Sequence, residues 1–318
     1  MKIKKKYYIT TIFVIFGLVV TNATGSIENR STTKNSFDID DDDKTISVLV
    51  FLKDQVDLKE ITRQMDEERA TLQMRHEVTV VSLQNTAYNS QPQLIEYLEG
   101  LYDQKIVKEF KPFWISNAIR VDTYQCVVDE IRKRDDVSKI YPNYNIELIE
   151  PVSSEIDQGS DGRDDIEPGV IAVRAPEVWE MGITGAGVLV ANIDTGVDGN
   201  HPALAERWVG VADPNYEGHP EWAWFDPYAG QNNFPYDNHG HGTHTMGSVC
   251  GGAPGDQVGV APGAYWMAAG AIDRGGGIPQ TVADAIESFE WMIDPDGDPS
   301  TNWDVPDVCS NSWRVTTG

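Results

Sequence analysis

Residues 187–198 read Gly-Val-Leu-Val-Ala-Asn-Ile-Asp-Thr-Gly-Val-Asp, and this stretch decides the fold. An apolar run of strand length, closed by Asp194 and a Thr-Gly turn, has the composition of a parallel strand buried on both faces. Further strands are expected over 264–269 and 305–309, with a helix over 282–293 between them. Strands alternating with helices predict a parallel α/β sheet. In such sheets catalytic groups gather at the carboxyl ends of the strands, which makes Asp194 a candidate site residue. Taken alone, an Asp before a tight turn is often just a turn-stabilising residue.

A second cluster lies about fifty residues on: His239-Gly-His-Gly-Thr-His-Thr-Met-Gly247, holding three of the six histidines. One reading is zinc on His239, His241 and His244. Against it stand the intervening glycines, the lack of an HExxH helix and the lack of a carboxylate at metal-site spacing. A His that opens a helix and is oriented by a distant carboxylate better suits a general base activating a hydroxyl.

Asp194-Thr-Gly followed by His241-Gly-Thr-His244 resembles the subtilisin family of serine proteases, whose triad runs in the order Asp, His, Ser. Gly185-Ala-Gly-Val, His201-Pro202 and Gly259-Val-Ala-Pro-Gly-Ala264 fit the same family. Asp307-Val-Cys-Ser-Asn-Ser-Trp313 is most similar to bacillopeptidase F-type members, and Phe113-Trp-Ile-Ser-Asn-Ala-Ile119 and Ile140-Tyr-Pro-Asn143 resemble the family's prodomain. The resemblance implies that Asp194 orients His241 and that His241 is the base, with His244 structural in the helix. It assigns Ser312 and Trp313 to the strand lining the specificity pocket. Gly275 to Gly277, and so Gly276 and Gly277, become the edge to which substrate adds as a strand, with a plain loop as the other reading.

The chain departs from the family in several places. No Gly-Thr-Ser nucleophile motif and no oxyanion-hole Asn segment occurs up to Gly318, and Arg314 replaces the usual Gly. The expectation is therefore an N-terminal fragment that carries Asp and His but is inactive by itself. Ala203 stands where many members have a calcium-binding Asp, and 253–257 lacks the usual Asn ligands. No cofactor is therefore certain and no metal ligand is assigned: calcium remains open while the usual strong site is absent. Asp294-Pro-Asp-Gly-Asp298 reads as a cation loop departing from the EF-hand pattern, or as an ordinary turn.

Ahead of this domain, Lys2, Lys4, Lys5 and Lys6 precede an apolar run over 9–20 and small residues at 23–25. That is a secretory signal over 1–25, too short to span a membrane. Residues 26–44, ending in Asp40-Asp-Asp-Asp-Lys44, read as disordered. Residues 45–150 alternate strands and helices: strands over 46–52, 78–83, 106–113, 118–121 and 140–149, helices over 57–76, 94–102 and 126–134. They predict a small α+β, ferredoxin-like prodomain with helices on one face of an antiparallel sheet. A Ser, Asp and Gly-rich linker over 151–168 leads to the catalytic domain at 169–318, whose parallel sheet is incomplete at its C-terminal side.

Composition bounds the partners. Of 318 residues 40% are hydrophobic and the net charge is −25. Residues 1–150 hold 24 acids and 20 bases, while 151–318 hold 26 acids and five arginines, net −21. Such a polyanion is a poor nucleic-acid binder. Three cysteines are too few for a disulfide framework; Cys250 and Cys309 could pair or stay free. The expected partners are protein or peptide substrates and the chain's own prodomain as intramolecular inhibitor, with no nucleic acid and, after signal cleavage, no membrane. The first reading is a secreted serine endopeptidase. The second is a naturally short product acting as a protease inhibitor or binding module through residues 45–150.

Overall fold

The computed structural model describes Phe37, Ile39 and residues 44–149, 166–228, 233–253, 255–272 and 280–316. The expected signal over 1–25, most of 26–44, most of the 151–168 linker, and Gly276 and Gly277 lie outside the described residues.

The first unit is built from β1 (Ile46–Leu52), α1 (Leu58–Glu67), α2 (Leu72–Ser90), α3 (Pro92–Asp103), β2 (Glu109–Phe113), β3 (Ala118–Thr123), α4 (Gln125–Ile131) and β4 (Val137–Pro142). Local chemistry starts the helices: the Asp57 side chain accepts from the N–H groups of Lys59 and Glu60, Thr71 accepts from Met74 N–H, and Pro92 opens α3. The strands form one antiparallel sheet in the order β2-β3-β1-β4, the split arrangement of a ferredoxin-like unit. Period-two alternation in β1 sorts its side chains. Val48, Val50 and Leu52 bury against Leu94, Leu98, Val127 and Ile131 of α3 and α4. Leu49 and Phe51 point the other way, into the core of the second unit, together with Phe113 and Ile115. Both faces of this sheet are therefore covered, one by its own helices and one by its neighbour.

Three expectations for this unit are corrected. The strand expected over 78–83 belongs to α2, and the single helix expected over 57–76 is two helices broken at 68–71. The β-branched run Val78-Thr-Val-Val81 favours a strand locally, but Val80, Leu83 and Ala87 bury one helical stripe, and that tertiary contact overrides propensity. The closing strand expected over 140–149 is also split. β4 ends at Pro142, and β5 (Ile146–Leu148) leaves the sheet for the second unit.

Described backbone resumes at Ile166, which bridges Gln257. The second unit contains β6 (Leu189–Asp194), β7 (Trp224–Phe225), α5 (His241–Cys250), β8 (Tyr265–Gly270), α6 (Val282–Met292), β9 (Val308–Asn311) and β10 (Trp313–Val315). β9, β6, β8 and β7 lie side by side in that order, every pair parallel, as the sequence pattern required. All six residues of β6 are buried, which is why it reads as a continuous apolar run. β9 begins three residues later than expected, where Asp307 pins the register: its N–H donates to Leu189 O at 2.7 Å and its carboxylate accepts from Leu189 N–H at 3.1 Å. The cysteines are free thiols, and burial pushes the Cys250 thiol up to about 12. No helix among the described residues is long and apolar enough to cross a membrane.

Candidate active site

The register Gly270↔Asp194 places Asp194 at the carboxyl edge of the sheet, where β6 ends and the chain turns through Thr195-Gly196. Helix α5 approaches this edge with His241 as its first residue. The close approach requires glycine at position 242: a Cβ there would lie 2.0 Å from Gly196 O and 3.1 Å from Asp194 Cβ. Gly240, at φ +97°, supplies the left-handed turn that swings the backbone into the helix.

The result is a buried Asp–His pair. His241 Nδ1 lies 2.7 Å from Asp194 Oδ1, with side-chain exposures of 4% and 1%. Asp194 Oδ1 also accepts from Thr195 N–H at 2.7 Å, and Oδ2 accepts from the Thr245 hydroxyl at 3.3 Å. Burial pushes the Asp194 carboxyl above its usual range, opposed by hydrogen bonds from His241, Thr195 and Thr245. The carboxylate thus holds one imidazole nitrogen and leaves Nε2 facing outward.

A residue the sequence reading missed organises the pair. Asp237 Oδ1 accepts from the Thr195 hydroxyl at 2.9 Å and from the N–H groups of His239 and Gly240 at 3.0 and 2.9 Å. Its Oδ2 accepts from Thr243 N–H at 2.9 Å and from the Thr243 hydroxyl at 2.6 Å. The Thr195 hydroxyl in turn accepts from Gly242 N–H at 2.8 Å. Burial pushes the Asp237 carboxyl upward, but the bonds from Thr243, Gly240 and His239 outweigh it and hold the group below its usual value. Asp237 therefore ties the Asp-Thr-Gly turn to the first turn of α5. Its signal was an acidic residue just ahead of a Gly-rich helix start, the pattern of a cap.

The His239 and His241 rings are neighbours, with centroids 6.3 Å apart, but among the described residues no three His, Cys, Asp or Glu side chains converge as a zinc site would need. The His244 side chain lies on the outer face of α5 and stays out of the site.

Ser312 and Trp313 do reach it. Trp313 Nε1 donates to Ile193 O at 3.0 Å, one residue before Asp194. β5 lies antiparallel to β10, pairing Leu148 with Trp313, Glu147 with Arg314 and Ile146 with Val315. Ile149 N–H donates to Ser312 O at 3.0 Å, and Ile149 O lies 3.2 Å from His241 Nε2. An extended segment of the first unit thus lies along the strand assigned to substrate contact and ends on the histidine.

Residues 185–316 match the family model described as Peptidase_S8, Subtilase family. Bacillopeptidase F of Bacillus subtilis strain 168 is 35% identical over 255 residues, covering 77% of this chain and 17% of that protein. Serine protease AprX of the same organism is 36% identical over 127 residues, 38% of this chain and 25% of its own length. Its Minor extracellular protease Vpr is 24% identical over 331 residues, 98% of this chain and 38% of the relative. The chain therefore spans well under half the length of each of these curated relatives. Among solved structures, fervidolysin from Fervidobacterium pennivorans, a keratinolytic enzyme related to subtilisin, aligns with TM-score 0.46 at 18% identity over 86% of this chain and 36% of its own.

Proposed function

Residues 185–316 belong to the subtilase family, and from that premise we propose that the chain serves an exported serine endopeptidase in which Asp194 and His241 are two members of the triad. The supporting observation is the buried 2.7 Å contact of His241 Nδ1 with Asp194 Oδ1 at the carboxyl edge of a parallel sheet. In this role Asp194 fixes the imidazole tautomer and stabilises the imidazolium formed during reaction. Nε2 takes the proton of a serine hydroxyl as it attacks the scissile carbonyl, then returns it to the leaving amine. The products are an acyl-enzyme and the amine half of the peptide; water then releases the acyl half.

The substrate is an extended polypeptide that adds as a strand along Ser312–Val315. β5 supports this because it already runs there in the antiparallel sense. The same geometry supports the first unit as an intramolecular inhibitor, since β5 fills the substrate's place. Export rests on the basic and apolar residues 2–20 and on kinship with a protease named extracellular.

The test uses whole protein carrying this chain. A fluorophosphonate probe should label one serine, and casein hydrolysis should fall by about 10⁴-fold or more in His241→Ala and Asp194→Asn. Labelling and hydrolysis that survive His241→Ala would overturn the assignment.

A further inference from the structure

Glu147 of β5 and Arg314 of β10 are partners in the strand register, and their side chains meet: Arg314 Nη2 lies 3.4 Å from Glu147 Oε2. The same strand fixes where this pair stands relative to the histidine. Ile149 brings its carbonyl oxygen within 3.2 Å of His241 Nε2 and donates its N–H to Ser312 O. Alternation along extended backbone turns Ile149 and Glu147 to one side and Leu148 to the other, and Leu148 packs against the core of the second unit. Any chain lying in this register offers His241 the carbonyl of one residue. It offers Arg314 the side chain of the residue two places before.

The other arginines of the second unit are used differently. Residues 151–318 hold five arginines and no lysine, and Arg174, Arg207 and Arg314 are the described ones. Arg174 pairs with Glu177, three residues on. Arg207 donates to the carbonyl oxygens of Ala203 and Pro262 at 2.5 and 2.6 Å. Both are therefore satisfied inside their own unit. Arg314 is not: among the described residues its one ion-pair partner is Glu147, supplied by the strand that fills the substrate's place. In a unit of net −21, its guanidinium is a local positive point on the very strand assigned to substrate contact.

We propose that Arg314 is a specificity-determining residue, which selects an acidic side chain in the polypeptide substrate two residues before the one whose carbonyl is attacked. The proposal rests on the serine-endopeptidase reading above and adds the substrate class. Opposite charges facing each other across paired strands attract, and like charges in the same place repel. The guanidinium keeps its charge at any pH at which the enzyme would work. Arg314 and Glu147 are 68% and 53% exposed, so water screens the pair. It therefore acts as a graded preference and not as an absolute requirement.

The experiment uses whole protein carrying this chain and three N-acetylated fluorogenic amides. Their sequence, Tyr-Asn-Ile-Glu-Leu-Ile, copies residues 144–149, with the Glu kept or replaced by Gln or by Lys. The parent should favour Glu over Gln, and Gln over Lys, by about three- to fivefold each in kcat/KM. In 1 M NaCl both ratios should shrink towards one. Arg314→Gln should level the three rates, and Arg314→Glu should reverse their order. If like charges across the units hinder folding of Arg314→Glu, combining it with Glu147→Lys restores an opposite pair and should show the same reversal. Equal rates in the parent, an order that charge reversal leaves unchanged, or hydrolysis of casein with all three amides left intact would overturn the proposal and leave the protease reading standing. Failure both to hydrolyse casein and to take the fluorophosphonate probe would overturn the protease reading, and the proposal with it.

Discussion

Ile149 and His241 meet across the two units: the carbonyl oxygen of Ile149 lies 3.2 Å from the imidazole Nε2. A carbonyl at that atom stands where the proposed mechanism brings the serine hydroxyl, and the backbone behind it is anchored by Ile149 N–H on Ser312 O. Under the proposed mechanism, occupation of the strand position and reaction at His241 exclude one another. Residues 45–150 added in trans to a related mature subtilase should slow peptide hydrolysis at micromolar concentration, and the same unit lacking 146–150 should be at least about tenfold weaker. Equal inhibition by both would show that β5 carries none of the effect.

Gly242 tests how tightly the site is built. The Cβ of Gly242→Ala would sit 2.0 Å from Gly196 O, and that oxygen is backbone, with no rotamer in which to retreat. Either the turn or α5 must move, and the 2.7 Å Asp194–His241 contact moves with it. Urea unfolding should show a loss of more than about 3 kcal/mol, at the severe end for point substitutions. A near-neutral result would mean that the two backbones separate freely.

Asp237 accepts five hydrogen bonds from the segments that hold Asp194 and His241. Asp237→Ala should cost about 2–4 kcal/mol of stability and about 10²-fold in kcat, the latter through misplacement of the imidazole. Asp237→Asn retains one accepting oxygen and should recover part of both. A kcat unchanged in a folded Asp237→Ala protein would confine the residue to stability.

Glu290 of α6 joins the units from the other side, accepting from the N–H groups of Trp114 at 2.8 Å and Ile115 at 3.2 Å. Burial pushes its carboxyl up to about 7, against the pull of those N–H groups; Glu287 adds to the rise and Lys111 opposes it. A group whose pKa rises on folding contributes fully below its unfolded value near 4.5, and that contribution fades as pH climbs through about 7. Parent and Glu290→Gln should therefore melt together at pH 5, with Glu290→Gln the more stable at pH 8. Superimposed melting curves at pH 8 would contradict this sign.

The long-range architecture of the second unit was legible because β6 and β8 are buried on both faces, so their composition alone distinguishes them from turns. Asp194 and His241 were legible because each sits beside glycines at an element boundary. What escaped was whatever depends on a partner distant in sequence. Val78-Thr-Val-Val81 looks like a strand until the buried stripe of α2 is known. Glu290 resembles any acid on a solvated helix face until Trp114 and Ile115 arrive from 176 and 175 residues away. β5 looked like the end of β4 because nothing local records that its partner is β10.

Trp313 has an optical consequence. Its indole is fixed at one end by Ile193 O, one residue from Asp194, while its backbone pairs with Leu148 of β5. Withdrawal of β5 would bring water to that ring while the bond to β6 kept it in place. With the other eight tryptophans replaced by phenylalanine, the emission of Trp313 becomes a gauge of whether the cleft is filled or open, readable in real time without a substrate, a label or a completed catalytic cycle.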